Sequence, residues 1–154
     1  MNMKHTKRIV WACLAIGVLL AGAAGVFAFS LGKYEKVNAT GPVVALRVTG
    51  LSDGKAHFYK FTDSGKEIAF FVVKGPDGAF RTAFDACDVC YREKKGYEQR
   101  AEVMVCKNCN QKFAINRIGP HEAGGCNPSY LPHQLRGATI TINVADLKAG
   151  ARFF

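Results

Sequence analysis

Four cysteines stand in two identical spacings in the second half of the chain. The first knuckle is Cys87 to Cys90, the second knuckle is Cys106 to Cys109, and fifteen residues separate them. Two residues between cysteines let a tight turn direct both sulfurs at one point, and a second such turn completes a tetrahedron of sulfurs. The spacing predicts a metal centre ligated by Cys87, Cys90, Cys106 and Cys109. Zinc and an iron–sulfur centre both accept four cysteines, so the spacing leaves the metal open.

Cys126 is a further candidate ligand. Gly124 and Gly125 precede it, and Asn127 and Pro128 follow, so a sharp, backbone-permissive loop could bring its sulfur close to the centre. Cys126 is then a fifth ligand, an exchangeable ligand or a cysteine that covers the centre. The simpler alternatives are a small buried apolar residue or a thiol that reacts on exposure.

An apolar run from Ile9 to Phe29 precedes the cysteines. Its 21 residues carry no charge, which is enough to cross a hydrocarbon core of about 30 Å as a helix. Lys4, Lys7 and Arg8 lie before the run, and the positive-inside rule therefore keeps the N-terminus in the cytoplasm. We predict a single-pass protein of the cytoplasmic (inner) membrane with an extracytoplasmic domain. The alternative is a cleaved signal peptide.

Three segments follow from this assignment. Residues 1–30 are the membrane anchor or an uncleaved signal sequence, residues 31–42 are a linker, and residues 43–154 are the metal-binding domain. The chain carries a formal net charge of +9, and most of its basic residues lie in the domain. A basic domain outside the cytoplasm faces anionic lipid or an acidic partner protein, and nucleic acid is not expected there.

Strand signals dominate residues 43–154. Strand-like runs at 43–48, 56–61, 68–73, 79–84, 103–105, 112–115 and 139–144 are separated by turn residues. The sequence Gly75-Pro76-Asp77-Gly78 predicts a hairpin turn, because proline sets φ at its second position and glycine accepts positive φ at its end. Helical periodicity is limited to one turn at 144–148. The pattern predicts an all-β domain, a small sandwich or barrel, preceded by one N-terminal transmembrane helix.

Enzymatic chemistry has little support in the sequence. There is no Ser-His-Asp set, no pair of carboxylates and no phosphate-binding glycine loop, so we expect no catalytic residues. His57, His121 and His133 all lie outside the knuckles. Tyr91, Tyr97 and Phe113 are candidates to shield the centre from water, or else they are ordinary core aromatics.

The order of these parts resembles the Rieske iron–sulfur domain. A strand enters each knuckle, and the segment from Val105 to Phe113, closing at Gly119, looks like the second Rieske ligand loop. Rieske centres use one cysteine and one histidine in each loop, whereas Cys90 and Cys109 occupy the second positions here. A small Rieske-like domain with two Cys-x2-Cys ligand loops is what the resemblance implies.

A second resemblance covers nearly the whole domain. Its motifs look like those of the FtrD-like family of membrane-anchored proteins, which are described as iron–sulfur containing and often associated with bacterial iron uptake. They are Phe70–Lys74, Arg81–Cys90, Lys95–Tyr97 and Gly124–Pro128. This resemblance assigns cofactor ligation to Cys87, Cys90, Cys106 and Cys109, and it implies an iron–sulfur cluster, most simply [2Fe–2S].

Four functions remain open from the sequence. The first is an iron–sulfur carrier of single electrons for a membrane redox or iron-transport protein, anchored in the lipid bilayer by the N-terminal helix. The second is a structural zinc knuckle in a binding module. The third is a disulfide-bonded or thiol-exchanging domain. The fourth is a periplasmic protein that hands iron or copper to a transporter. We expect a carrier and not an enzyme.

Overall fold

The structure is a computed structural model that describes residues 32–121 and 125–154. The predicted membrane anchor from Ile9 to Phe29 lies outside the described residues. Within residues 32–121 and 125–154, no helix is long and apolar enough to cross a bilayer. The region from Tyr34 to Phe154 forms one compact unit, and it holds both knuckles.

Ten strands and one short α-helix make up the described part of the chain. The strands are β1 (Tyr34–Val37), β2 (Val43–Arg47), β3 (His57–Asp63), β4 (Lys66–Lys74), β5 (Phe80–Phe84), β6 (Tyr97–Arg100), β7 (Val103–Cys106), β8 (Lys112–Ala114), β9 (Gln134–Arg136) and β10 (Thr139–Asn143). The helix α1 spans Val144–Ala149, and short 3₁₀ turns follow the first knuckle, β8 and α1. The domain is therefore mostly β with one short helix.

Three small sheets arise from these strands. The first has the order β1-β3-β4-β5, the second β2-β10-β9, and the third β6-β7-β8. The β3–β4 hairpin closes through Ser64 and Gly65, which have φ of 49° and 82°. Two consecutive positive φ angles match the twist of the flanking strands. The predicted turn at Gly75–Gly78 is confirmed, because Gly78 has φ of 80° and its N–H donates to the Gly75 carbonyl at 2.9 Å.

Strand β4 supplies two separate hydrophobic cores. Ile68 to Val73 are all buried, and successive side chains of a strand point to opposite faces. Phe70 therefore enters the first core, and Phe71 enters the second core. The first core also takes side chains from β2, β10 and α1, and it is formed by Val44, Leu46, Leu51, Tyr59, Phe61, Ile68, Phe70, Val72, Phe84, Ala86, Leu131, Ile140, Ile142, Leu147 and Phe153. The second core is formed by Phe71, Val73, Ala83, Cys87, Tyr97, Met104, Cys106, Ile115 and Ile118.

Three strands and one helix differ from the sequence-based expectation. Residues 34–37, which were predicted as linker, form β1 and pair in parallel with β3. β6 and β9 were not predicted, because their sequences are mostly polar and their strand conformation comes from pairing with β7 and β10. The predicted turn at 144–148 is the helix α1, so the expected all-β class is corrected to mostly β.

Candidate metal centre

The first knuckle begins three residues after the end of β5. Cys87 is buried, and Cys90 is half-buried. The backbone N–H of Cys90 donates to the Cys87 sulfur at 3.0 Å, and the N–H of Tyr91 donates to the Cys87 carbonyl at 3.2 Å. These bonds close the turn that the two-residue spacing predicts, and they turn both sulfurs toward the same side of the loop.

The second knuckle begins at the end of β7. Cys106 is the last residue of this strand and is buried, whereas Cys109 is exposed. The Asn110 N–H donates to the Cys106 carbonyl at 2.9 Å, and Asn110 adopts a φ of 59°. The Lys107 N–H donates to the Gly96 carbonyl at 2.9 Å, which fixes the loop to the start of β6. Each knuckle thus has one buried cysteine followed by a more exposed one.

The structure brings the sulfurs of both knuckles together with the sulfur of Cys126. Cys87, Cys90 and Cys126 lie within 4.8 Å of one another, and so do Cys90, Cys106 and Cys109. Cys90 belongs to both sets, so its sulfur is within 4.8 Å of the other four. The sulfurs of Cys90 and Cys126 are 3.4 Å apart. Five thiols are therefore gathered where the knuckle spacing predicts four.

The pKa values of the Cys87 and Cys126 thiols are shifted in opposite directions. Burial alone would raise the pKa of Cys87. Hydrogen bonds outweigh burial and lower this pKa; they come from the backbone N–H groups of Cys90 and Val89 and from the Tyr97 hydroxyl. Burial and contacts with the sulfurs of Cys109 and Cys90 raise the pKa of Cys126. Cys87 therefore loses its proton more readily than an ordinary cysteine does, and the thiolate is the form that binds metal. Cys126 therefore holds its proton more tightly than an ordinary cysteine does.

Tyr97 connects the sulfurs to the loop that carries Cys126. Its hydroxyl donates to the Cys126 carbonyl at 2.5 Å and also contacts the Cys87 sulfur. Burial raises the pKa of Tyr97, so the hydroxyl keeps its proton and remains a donor. The Tyr97 and Phe113 rings meet edge to face with centroids 6.4 Å apart beside the cysteines. Tyr91 instead packs against Phe153 of the first core.

Asp85 is a buried acidic residue that the sequence did not single out. Its carboxylate accepts hydrogen bonds from the Tyr34 hydroxyl and from the Tyr97 backbone N–H, both at 2.6 Å. A Cβ at Gly96 would lie 2.6 Å from Asp85 Oδ2, so this contact requires glycine. Asp85 therefore joins β1 and β6 to the segment between β5 and Cys87. An aspartate two residues before a ligand cysteine was the only signal in the sequence.

The three histidines of the described residues belong to neither converging set of sulfurs. His133 Nδ1 is 2.8 Å from Thr82 Oγ1, and burial lowers the pKa of His133. His57 pairs with Asp53 at 2.9 Å on the surface, and His121 is exposed. Among the described residues, the converging ligand sets contain cysteines alone.

Comparison with known proteins identifies the family. The family described as membrane iron-sulfur containing protein FtrD-like matches residues 51–154, which include both knuckles and Cys126. The chain belongs to the FtrD-like family. This confirms the resemblance, and it supports an iron–sulfur protein that associates with a membrane. A search of curated proteins finds no match.

One solved structure is similar in shape. It is the quaternary ammonium Rieske monooxygenase CntA in complex with an inhibitor, at 14% sequence identity and a TM-score of 0.42. The match covers 65% of the FtrD-like chain and 30% of the monooxygenase chain. The FtrD-like chain therefore matches less than a third of the length of that enzyme.

The donor set of this FtrD-like protein fits an iron–sulfur group. All five converging atoms are sulfurs, and cysteine thiolates are the ligands that hold such clusters. The acidic side chains nearest to the first knuckle in sequence have partners of their own. Asp85 accepts hydrogen bonds from Tyr34 and Tyr97, and Asp88 lies 3.9 Å from Arg152. Lys95 Nζ donates to Asn108 Oδ1 at 3.0 Å and so links the segment before β6 to the second knuckle. The structure thus supports metal binding by cysteine.

Proposed function

We propose that this protein is a membrane-anchored, extracytoplasmic iron–sulfur carrier of single electrons, linked to iron uptake or membrane redox. One observation carries the proposal: two Cys-x2-Cys turns place their sulfurs together at the second core, in a chain of an iron–sulfur family. Cys87, Cys90, Cys106 and Cys109 hold the group, which is [2Fe–2S] in the simplest case. When bound, this group supplies one-electron redox chemistry.

The protein residues around the site support such a role. Cys87 and Cys106 are each 2% exposed, so the inner side of the site is shielded from water. Cys109 is exposed, and Val89 in the first knuckle is 62% exposed, so the outer side is open to a partner. A centre that is shielded on one side and accessible on the other can exchange electrons without releasing its metal.

Membrane attachment and partner choice complete the proposal. The N-terminal helix would cross the inner membrane with its N-terminus in the cytoplasm and keep the domain close to a membrane redox or iron-transport protein. Exposed basic residues surround the knuckles: Arg92, Lys94, Lys95, Lys107, Lys112 and Arg117. This surface suits an acidic partner, and charges at the edge of an interface act mainly on the association rate.

A structural zinc site is the second candidate. Four sulfurs about 2.3 Å from one zinc ion would be separated by about 3.8 Å. The sulfur separations of up to 4.8 Å within each set are near this value. A third candidate, delivery of iron or copper, is favoured by the exposed Cys109 and by the additional soft ligand Cys126.

The test is the composition of the full-length protein, purified anaerobically in detergent. We expect iron and acid-labile sulfide in equal amounts, visible absorption, and a paramagnetic signal after one-electron reduction. Stoichiometric zinc without colour would replace the proposal with the structural zinc site. A metal-free, oxidised protein would favour the disulfide alternative. Iron or copper that passes to apo-acceptor protein, with no redox change at a retained centre, would favour metal delivery.

A further inference from the structure

The sulfur of Cys126 lies beside the outer sulfurs of the knuckles. It is 3.4 Å from the Cys90 sulfur, which in turn lies within 4.8 Å of the Cys109 sulfur. One tetrahedral metal or one cysteine-ligated cluster needs four protein sulfurs, and five are present. The position of Cys126 therefore raises the question of which four sulfurs act as ligands.

The four knuckle cysteines differ in how firmly they are held. Cys87 and Cys106 are each 2% exposed and belong to the second core, and Cys106 is paired with Tyr97 in the third sheet. Cys90 is half-buried, and Cys109 is exposed. The outer cysteines can change rotamer toward solvent, whereas the inner ones are fixed by packing. A change of about 120° in χ1 moves a cysteine sulfur by roughly 3 Å.

The backbone of the Cys126 loop is held against the first knuckle. The Tyr97 hydroxyl donates to the Cys126 carbonyl at 2.5 Å. Three residues further on, the Ser129 N–H donates to the Ala86 carbonyl at 3.2 Å, and the Phe84 N–H donates to the Ser129 carbonyl at 2.9 Å. These bonds do not involve the sulfur, so the Cys126 side chain can change its partner while the loop stays in place.

We propose that Cys126 is an alternate ligand, which replaces Cys109 or Cys90 at the centre, whereas Cys87 and Cys106 have no substitute. The inference rests on the proposed iron–sulfur function. In the exchange, the bond from the metal to the Cys109 sulfur breaks, and the bond to the Cys126 sulfur forms. The thiol proton of Cys126 passes to the departing sulfur. Ligand number, charge and oxidation state stay the same, so no oxidant or reductant is needed.

This exchange protects the centre against damage to its exposed ligand. Cys109 is the ligand most open to alkylation or oxidation, because it is the exposed cysteine among the five. With Cys126 in reserve, the centre keeps four sulfur ligands when Cys109 is lost. A centre with only the knuckle ligands would instead lose its fourth ligand to solvent.

The first test uses alanine variants of the full-length protein, since alanine offers no ligand atom and serine oxygen does. Iron, acid-labile sulfide and visible absorption are measured in Cys109→Ala, Cys126→Ala and the Cys109→Ala/Cys126→Ala double variant. We expect each single variant to keep most of the wild-type cluster, and the double variant to fall about tenfold or more. Cys106→Ala should be as empty as the double variant. Cys13→Ala, in the apolar run before the domain, controls for the loss of one thiol.

Two results with the variants would overturn the inference. If Cys109→Ala alone is as empty as the double variant, Cys126 does not substitute for it. If Cys126→Ala alone is empty, Cys126 is an obligatory ligand. A wild-type protein that holds zinc would refute the iron–sulfur proposal, and zinc content in the same variants would then decide the exchange. A metal-free wild-type protein would refute both.

A second measurement does not depend on the folding of any variant. The loaded wild-type protein is treated with iodoacetamide under native anaerobic conditions, and each cysteine peptide is quantified by mass spectrometry. Exchange predicts partial labelling of both Cys126 and Cys109, with Cys87 and Cys106 protected. Labelling of Cys126 alone among the five would mean that the knuckle ligands are permanent, and it would overturn the inference.

Discussion

Phe70 and Phe71 are neighbours on β4, and both are fully buried, but they enter different cores. Phe70 stacks on Tyr59 with ring centroids 5.4 Å apart. Phe71 contacts Phe58 at 5.6 Å and Tyr97 at 6.4 Å, and Tyr97 in turn contacts the cysteines. One strand therefore supports an apolar core on one face and the candidate metal centre on the other.

The two cores differ in size and in chemistry. The first has fifteen buried residues and no cysteine, whereas the second has nine, and two of them are Cys87 and Cys106. The third sheet, which covers the second core, consists of strands of only three or four residues. Short sheets with little apolar burial are marginal in water, and small cores are often completed by a metal. We infer that the first core is stable through burial alone and that the second depends on its cofactor.

Removal of the cofactor should have the largest effect on the difference in stability between the two cores. When a chelator strips the metal from the reduced protein, ligation no longer holds the two knuckles together. We expect amide hydrogen exchange to accelerate at least about tenfold in β6, β7 and β8, which is about 1.4 kcal/mol of local stability. Exchange in β2 and β10 should change little. Equal acceleration in all these strands would show that the cores unfold as one unit.

The sequence predicted the cysteine pairs and the apolar strands because both signals are local. Ile68 to Val73 is a continuous apolar run, and that is typical of a strand buried on both faces. The β6 sequence Tyr-Glu-Gln-Arg carries no such signal, and its strand conformation depends on pairing with β7. The approach of Cys126 depends on hydrogen bonds between Ser129 and residues more than 40 positions earlier. Such contacts form only in the folded domain.

The neighbouring phenylalanines give the second prediction. Phe70→Leu and Phe71→Leu each remove a fully buried ring from the same strand, so each should lower the free energy of unfolding by about 1–3 kcal/mol in urea. Only Phe71→Leu should also speed the loss of visible absorption to a chelator, by several-fold, because Phe71 supports Tyr97. If Phe70→Leu accelerates that loss equally, the cofactor responds to global stability and not to the second core.

Charge reversal on the surface outside the two cores should have the smallest effect. Lys107 and Lys112 are exposed beside the second knuckle, whereas Arg47 and Arg136 are exposed on the second sheet, whose strands carry no cysteine. Lys107→Glu/Lys112→Glu and Arg47→Glu/Arg136→Glu change the net charge by the same amount, so they form a matched pair. The reduced protein is oxidised with ferricyanide, an anionic complex, at several salt concentrations.

Positive charge beside the second knuckle attracts anionic ferricyanide to the surface where electrons leave the protein. We expect the lysine double variant to slow oxidation by about tenfold at low salt and to lose most of the salt dependence, and the arginine double variant to change the rate much less. The absorption spectrum should be the same in all three proteins, because these side chains do not ligate the centre. A cationic cobalt(III) oxidant should show the opposite order of rates. If both double variants slow ferricyanide equally, net charge alone sets the rate, and the knuckle surface is not where electrons leave.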